Sequence, residues 1–130
     1  MTAQQLIKLA NEAREKAYAP YSGFTVGAAL LCADGETVCG CNIENASYTP
    51  TCCAERVAIF KAVSDGKREF SAIAVSGGKS GETPLDKCYP CGVCRQVLSE
   101  LCKPSLTVIF SDGSETTLGE LLPNSFSLAD

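Results

Sequence analysis

Histidine is absent from this chain. That absence removes the usual physiological-pH base and the commonest zinc ligand. No Ser-His or Cys-His catalytic arrangement can exist, and any metal site must be built from thiolates or carboxylates. Long apolar runs are also missing: none approaches the ~20 residues of a membrane-spanning helix, so no membrane partner is expected. Positive charge is scarce. Eleven Lys and Arg stand against 15 Asp and Glu, a net charge of −4, which argues against a protein built to grip a nucleic-acid backbone. The opening "MTAQQLIKLANEAREKAYAP" is amphipathic, carries two acids, and lacks the charged-then-apolar layout of a signal peptide. A cytoplasmic location is the expectation. Repeats, linkers and low-complexity stretches are lacking too, and 130 residues suit a single domain spanning 1–130.

What the chain does have is nine cysteines. An odd number without an export signal does not describe a disulfide scaffold, and in a reducing compartment clustered cysteines more often mean metal or redox chemistry. They are not all alike. Cys32, Cys39, Cys41 and Cys102 lie in apolar strand-like or helix-like surroundings, where a free thiol behaves as a small hydrophobe.

Hydrophobic periodicity supplies the elements. Leu6, Ile7, Leu9, Ala10, Ala13 and Ala17 recur at helical spacing before Pro20. Residues 24–32 and 37–42 read as two strands joined by the turn "ADGE". A second helix is expected over about 51–64, a buried strand at "SAIAVSGG", and a loop at "GKSGETPLDKCYP". A third helix is expected from near Cys91 to about Leu101, followed by a strand at "LTVIF", a turn, a short strand at "ETTL" and a closing helical turn at "LGELL". This order gives a mixed sheet with helices on its faces.

Two cysteine groups each stand at the start of a predicted helix: Cys52-Cys53, and Cys88, Cys91 and Cys94 in "CYPCGVC". Free backbone N–H groups and partial positive charge at a helix N-terminus favour thiolate over thiol. Cys91 and Cys94 fall on one face of a first turn and can share a metal. The expectation is that the two helix starts converge from opposite sides of a strand. "CAE" with a downstream "PCGVC" matches the pattern of zinc nucleobase deaminases, in which a ligand two residues before a catalytic glutamate joins the two cysteines of Pro-Cys-x-x-Cys. Cys53 and Glu55 would lie roughly 200° apart on an ideal helix, so they can serve one site only if the ligand is at the frayed end. This selects Cys53 over Cys52, and the proline before Cys91 selects Cys91 over Cys88. Cys52 and Cys88 are read as neighbours. Three protein ligands leave the fourth zinc position for water, the mark of a catalytic site. Three thiolates around a dication leave one net negative charge, where three neutral imidazoles would leave both positive charges, so the metal is a weaker acid. Arg56, beside Glu55, can temper that by hydrogen-bonding the thiolates.

With those residues in view, the chain resembles the small, homotetrameric cytidine deaminases. The likeness covers nearly the whole length and includes "YAPYSGFTVGAAL", "GCNIENASY", "CAER", "PCGVCRQ" and "LLPNSF". It implies a three-layer α-β-α sandwich around a mixed five-stranded sheet, one Zn²⁺ per chain held by Cys53, Cys91 and Cys94, and a cytoplasmic enzyme of pyrimidine salvage. The activity implied is hydrolysis of cytidine and 2′-deoxycytidine to uridine and 2′-deoxyuridine with release of ammonia. Glu55 becomes the single acid–base group, moving a proton from water to N3 and then to the leaving amine. By position, Asn42 and Glu44 resemble the pair that holds the ribose, and Phe24 a wall of the pocket. Ala46, Ala54 and Tyr48 match further substrate-side residues, and Phe126 the aromatic face over the pyrimidine, donated by a neighbouring subunit. A small-molecule nucleoside, and no nucleic acid, is the implied partner.

Two other readings compete. A related deaminase could act on a different nucleoside, such as an antibiotic. A non-enzymatic zinc or iron–sulfur module would share "CYPCGVC", but the ferredoxin-type ending is missing, since Arg95-Gln96-Val97-Leu98 follows Cys94.

Overall fold

Period-two alternation in the strands divides the molecule into layers. Along β1 (Phe24–Cys32), Ala28 and Leu30 point to one face of the sheet and Ala29 to the other. In β3 (Phe70–Lys79), Ile73 and Val75 share the first face while Ala72 and Ala74 share the second. The structure, a computed structural model, describes residues 1–128. Its five strands lie in the order β2-β1-β3-β4-β5, with β2 at Thr37–Cys41, β4 at Thr107–Phe110 and β5 at Glu115–Thr117. Only β3 and β4 run parallel; the other neighbouring pairs are antiparallel. The sheet is therefore mixed, as expected.

Helix α1 (Ala3–Arg14) begins in a capping box. The Thr2 side chain accepts from the Gln5 N–H at 3.1 Å, and the Gln5 side chain accepts from the Thr2 N–H at 2.7 Å. It lays Leu6, Ile7 and Ala10 against Ala29, Ala72, Ala74 and Ile109. The opposite face takes α2 (Ala54–Ser64) and α3 (Gly92–Leu101), whose Ala58, Ile59 and Leu98 close over Leu30, Ile73, Val75, Val108 and Phe110. A short α4 (Leu118–Leu121) follows β5. Both outer layers rest directly on glycine. A Cβ on Gly27 would lie 2.0 Å from the Ala10 carbonyl oxygen, and one on Gly40 would lie 2.6 Å from the Ala54 carbonyl oxygen. Those two glycines let helix backbone touch sheet backbone.

The differences from the sequence expectation are local. The first helix stops at Arg14 rather than Ala17, and residues 15–17 continue it only as tighter turns, with Lys16 N–H bonded to Ala13 O and Ala17 N–H to Arg14 O. Strand β2 ends at Cys41, not at residue 42. Helix α2 starts at Ala54 instead of residue 51, because Cys52 is claimed by a β-bridge to Ile43. The two thiol-bearing helix starts do converge, with the Cys53 and Cys91 sulfurs 3.8 Å apart, but from α2 and α3 lying side by side on one face of the sheet rather than from opposite sides of a strand.

Candidate metal centre and active site

The path from β2 into α2 builds half of the site. Ile43 and Cys52 exchange both backbone hydrogen bonds, each 2.9 Å, and this antiparallel register sets Asn42 alongside Cys53 and Glu44 alongside Thr51. Cys53 is then the N-cap of α2, with extended backbone at φ −72°, ψ 157°. Cys91 holds the same place on α3, at φ −69°, ψ 170°. Neither sulfur caps its own helix. Pro90 precedes the cap, two places before the first helical position where proline is usually favoured, and Cys94 follows one turn into the helix. The Sγ atoms of Cys53, Cys91 and Cys94 all lie within 4.8 Å of one another, at 3.8 Å for Cys53–Cys91 and 3.6 Å for Cys91–Cys94. A disulfide would bring two sulfurs to ~2.05 Å. Sulfurs at ~2.3 Å from a tetrahedral zinc stand ~3.8 Å apart, so the donor set and its spacing fit that ion. Cys52 and Cys88 stay outside the trio among the described residues.

Charge around the trio is organised for anionic sulfur. Arg56 donates from Nη2 to Cys53 Sγ at 3.4 Å, and its Nε is buried without a hydrogen-bond partner among the described residues. Cys53 is held below the ordinary thiol range, first by the hydrogen bond from the Cys94 thiol and then by Arg56. Cys94 is pushed up, because it is the donor in that pair and is buried. Glu55, one residue into α2, is 3% exposed. Burial pushes its carboxyl up to about 7, with the Cys53 charge adding and its own backbone N–H opposing. A carboxyl balanced near neutrality can take a proton and return it.

The expected substrate-side residues fall into two groups. Ala54 follows Cys53 on α2, Asn42 lies alongside Cys53 across the Ile43–Cys52 bridge, Phe24 is tied to Asn42 through its carbonyl, and Glu44 lies alongside Thr51. Asn42 is buried and its amide is partly spent on the scaffold: Oδ1 accepts from Val26 N–H and Nδ2 donates to Phe24 O, both at 2.8 Å. One amide hydrogen remains. Glu44 Oε1 accepts from the Tyr21 and Ser22 N–H groups at 3.0 and 3.1 Å, and Oε2 accepts from Ser22 Oγ. Ala54 is fully buried at the first turn of α2. Ala46 and Phe126 are not drawn in, and Tyr48 joins Glu44, Ser22 and Tyr21 only at an outer cavity that the sulfur trio does not line. Tyr48 is 81% and Phe126 68% exposed, and Ala46 lies on the same exposed loop as Tyr48.

Sequence reasoning passed over two contributors, Ser22 and Arg14, and set Cys88 beside the site as a neighbour. Ser22 ties down Glu44; the Ser-Gly pair ahead of β1 is a turn signature that pointed to it. Cys88, pushed up to about 11 by burial, stands with Phe24 and Val26 around the space where Gly77 lacks a side chain. Buried Arg14 donates to Lys79 O at 2.6 Å and Glu82 O at 2.8 Å, fastening the segment that leads to Cys88. Its Nε also donates to Thr25 O and Oγ1, both at 3.0 Å; no pattern marks such an arginine, because the carbonyls it fastens lie more than sixty residues away.

The family described as "Cytidine and deoxycytidylate deaminase zinc-binding region" matches residues 1–110. The chain belongs to this deaminase family. A cytidine deaminase of Sporosarcina psychrophila is 51% identical over 134 residues, covering 100% of this chain and 95% of its own. The crystal structure of cytidine deaminase from Burkholderia pseudomallei superposes with a TM-score of 0.87 at 51% identity, covering 97% of this chain and 100% of that one. Blasticidin-S deaminase of Bacillus cereus is more distant, 34% identical over 128 residues, covering 93% and 91%.

Proposed function

We propose that this deaminase hydrolyses cytidine and 2′-deoxycytidine to the corresponding uridines and ammonia, with one Zn²⁺ per chain on Cys53, Cys91 and Cys94. The observation that carries the reading is the buried Glu55 carboxyl beside three sulfurs at zinc-ligand spacing. Zinc bound there supplies Lewis acidity and makes a water easier to ionise, to a degree moderated by its three thiolates. The remaining work belongs to the chain. Glu55 accepts a proton from the attacking water, passes it to N3 of the cytosine, and moves a second proton to the exocyclic nitrogen as the C4–N bond breaks. Water and cytidine are consumed; uridine and ammonia leave. One carboxyl group serves as base and then acid, so no second titrating pair is required. Arg56 restrains Cys53 and spreads its charge.

Asn42, through its remaining amide hydrogen, and Glu44 hold the sugar, while Phe24 and Ala54 line the pocket. Ala46, Tyr48 and Phe126 complete a site from neighbouring subunits of a homotetramer; their exposure in a single chain supports that assignment. Nine free thiols suit a reducing cytoplasm and a place in pyrimidine salvage. A second reading, deamination of a cytosine-bearing antibiotic nucleoside, has the Bacillus cereus relative in its favour. Greater identity to cytidine deaminases supports the first.

The test is ultraviolet absorbance of cytidine, CMP and blasticidin S with purified zinc-loaded protein, before and after a strong chelator. Loss of the cytidine band alone, abolished by the chelator, is the expected result. Unchanged cytidine in protein holding one zinc per chain would discard the substrate, and loss of the blasticidin band would replace it.

A further inference from the structure

The carboxylate of Glu44 is more tightly committed than a free surface acid would be. It offers four acceptor positions, two on each oxygen. Those on Oε1 are both taken, by the N–H groups of Tyr21 and Ser22 at 3.0 and 3.1 Å. One on Oε2 is taken by the Ser22 hydroxyl. That hydroxyl has its own direction fixed, because Ser22 Oγ accepts from the Phe24 N–H at 3.0 Å, leaving its hydrogen for Glu44. The turn carrying these donors is itself anchored. Gly23 takes φ +68°, a conformation suited to glycine; its N–H bonds to Ala19 O at 3.0 Å and its carbonyl accepts from Ser80 N–H at 2.8 Å. Exactly one acceptor position on Glu44 is therefore left, on Oε2. Glu44, Ser22, Tyr21 and Tyr48 line a cavity of about 340 Å³.

We infer that Ser22 is a positioning residue: its hydroxyl turns Glu44 into a single-acceptor clamp that accepts one hydrogen bond, from one sugar hydroxyl of the nucleoside. The inference rests on the reading of the site as a nucleoside deaminase and adds how its sugar end selects. With the hydroxyl in place, the carboxylate is held ionised and in one orientation, so a sugar hydroxyl meets a ready acceptor without an ordering cost. Without it, Oε2 has two open positions and the carboxylate can turn. The same hydrogen bond is the main reason that the Glu44 carboxyl lies below the ordinary range. A phosphate in place of the hydroxyl would meet a fixed negative charge.

The test compares wild type, Ser22→Ala and Ser22→Thr, each zinc-loaded, on cytidine and on 2′,3′-dideoxycytidine. Ser22→Ala is expected to raise the KM for cytidine about tenfold, the size of one hydrogen bond to a charged group, with far less change in kcat. For dideoxycytidine the KM rises far less, and Ser22→Thr restores the wild-type KM for cytidine. Carboxyl carbon NMR gives a readout independent of turnover: the Glu44 titration midpoint moves up in Ser22→Ala and returns in Ser22→Thr. Equal KM increases for both nucleosides, or a cytidine KM unchanged in Ser22→Ala, overturn the inference. A wild type that leaves both nucleosides intact overturns the deaminase reading itself, and is plainly distinguishable from an active wild type whose Ser22→Ala variant matches it.

Discussion

Glu55 carries a cost at its own position. A carboxylate sealed from water is unfavourable, and the upward push on its proton affinity measures that penalty. Such a group persists where the work it performs outweighs the stability it removes. Replacing Glu55 with glutamine keeps the shape, removes the charge and removes the proton carrier. Glu55→Gln is expected to keep its zinc, to unfold no lower in temperature than wild type, and to lose at least about 10³-fold in kcat, the scale of general acid–base catalysis. Metal analysis, thermal unfolding and single-turnover rates on cytidine check the three parts. Near-normal turnover would remove Glu55 from the chemistry. The neighbouring Asn42 differs in kind: two of its hydrogen bonds hold β1, so its replacement damages the scaffold itself.

At the scale of elements, the zinc trio depends on where two helices begin, and α2 is set by a close approach to the sheet. Gly40 faces α2 and Gly27 faces α1. Adding one methyl group at either position drives backbone from backbone, at a cost of about 1–3 kcal/mol or more for overpacking. Gly27→Ala and Gly40→Ala are both expected to lower the unfolding temperature. Gly40→Ala alone displaces the first turn of α2, with Cys53 and Glu55 on it, and so alone weakens zinc retention against a chelator. Equal zinc retention by the two variants would show that the site tolerates movement of α2. The elements themselves were legible because their signals are local: helical spacing of apolar residues from Leu6 onward, an unbroken apolar run in β3, and turn residues between strands. The start of α2 was not. Residues 51–53 carry helix-compatible side chains, and only the distant partner Ile43 draws Cys52 into a bridge. The layer assignment of α2 and α3 was hidden for a related reason, since it depends on how the chain crosses the sheet and not on any one segment. Of the site, the trio and Glu55 were legible through the deaminase pattern of "CAE" with a downstream "PCGVC", whereas Ser22 and Arg14 act through contacts that no such pattern encodes.

At the scale of the whole molecule, several aromatic side chains lie at the surface of a single chain. Tyr48 and Phe126 stand in solvent, along with Tyr18, Tyr21, Tyr89 and Val93. The loop bearing Tyr48 is nevertheless braced, with Ser47 N–H bonded to Asn45 Oδ1 at 2.9 Å, Asn45 N–H to Thr51 Oγ1 at 3.1 Å and Thr51 N–H to Tyr48 O at 2.9 Å. A braced loop presenting an aromatic ring outward suits an interface better than a tail. If each site takes Glu55 from one subunit and Phe126 from another, two inactive proteins can repair each other. Glu55→Gln and Phe126→Ala proteins, mixed equally, unfolded and refolded together with zinc, should regain activity. Random assembly leaves about a quarter of the sites with both native groups when each site draws on one neighbour. The mixture is therefore expected to recover about a quarter of wild-type turnover, while the same proteins mixed without unfolding recover none. Recovery absent from the refolded mixture, with each variant refolding alone to native size and zinc content, would place Phe126 and Glu55 in the service of the same chain.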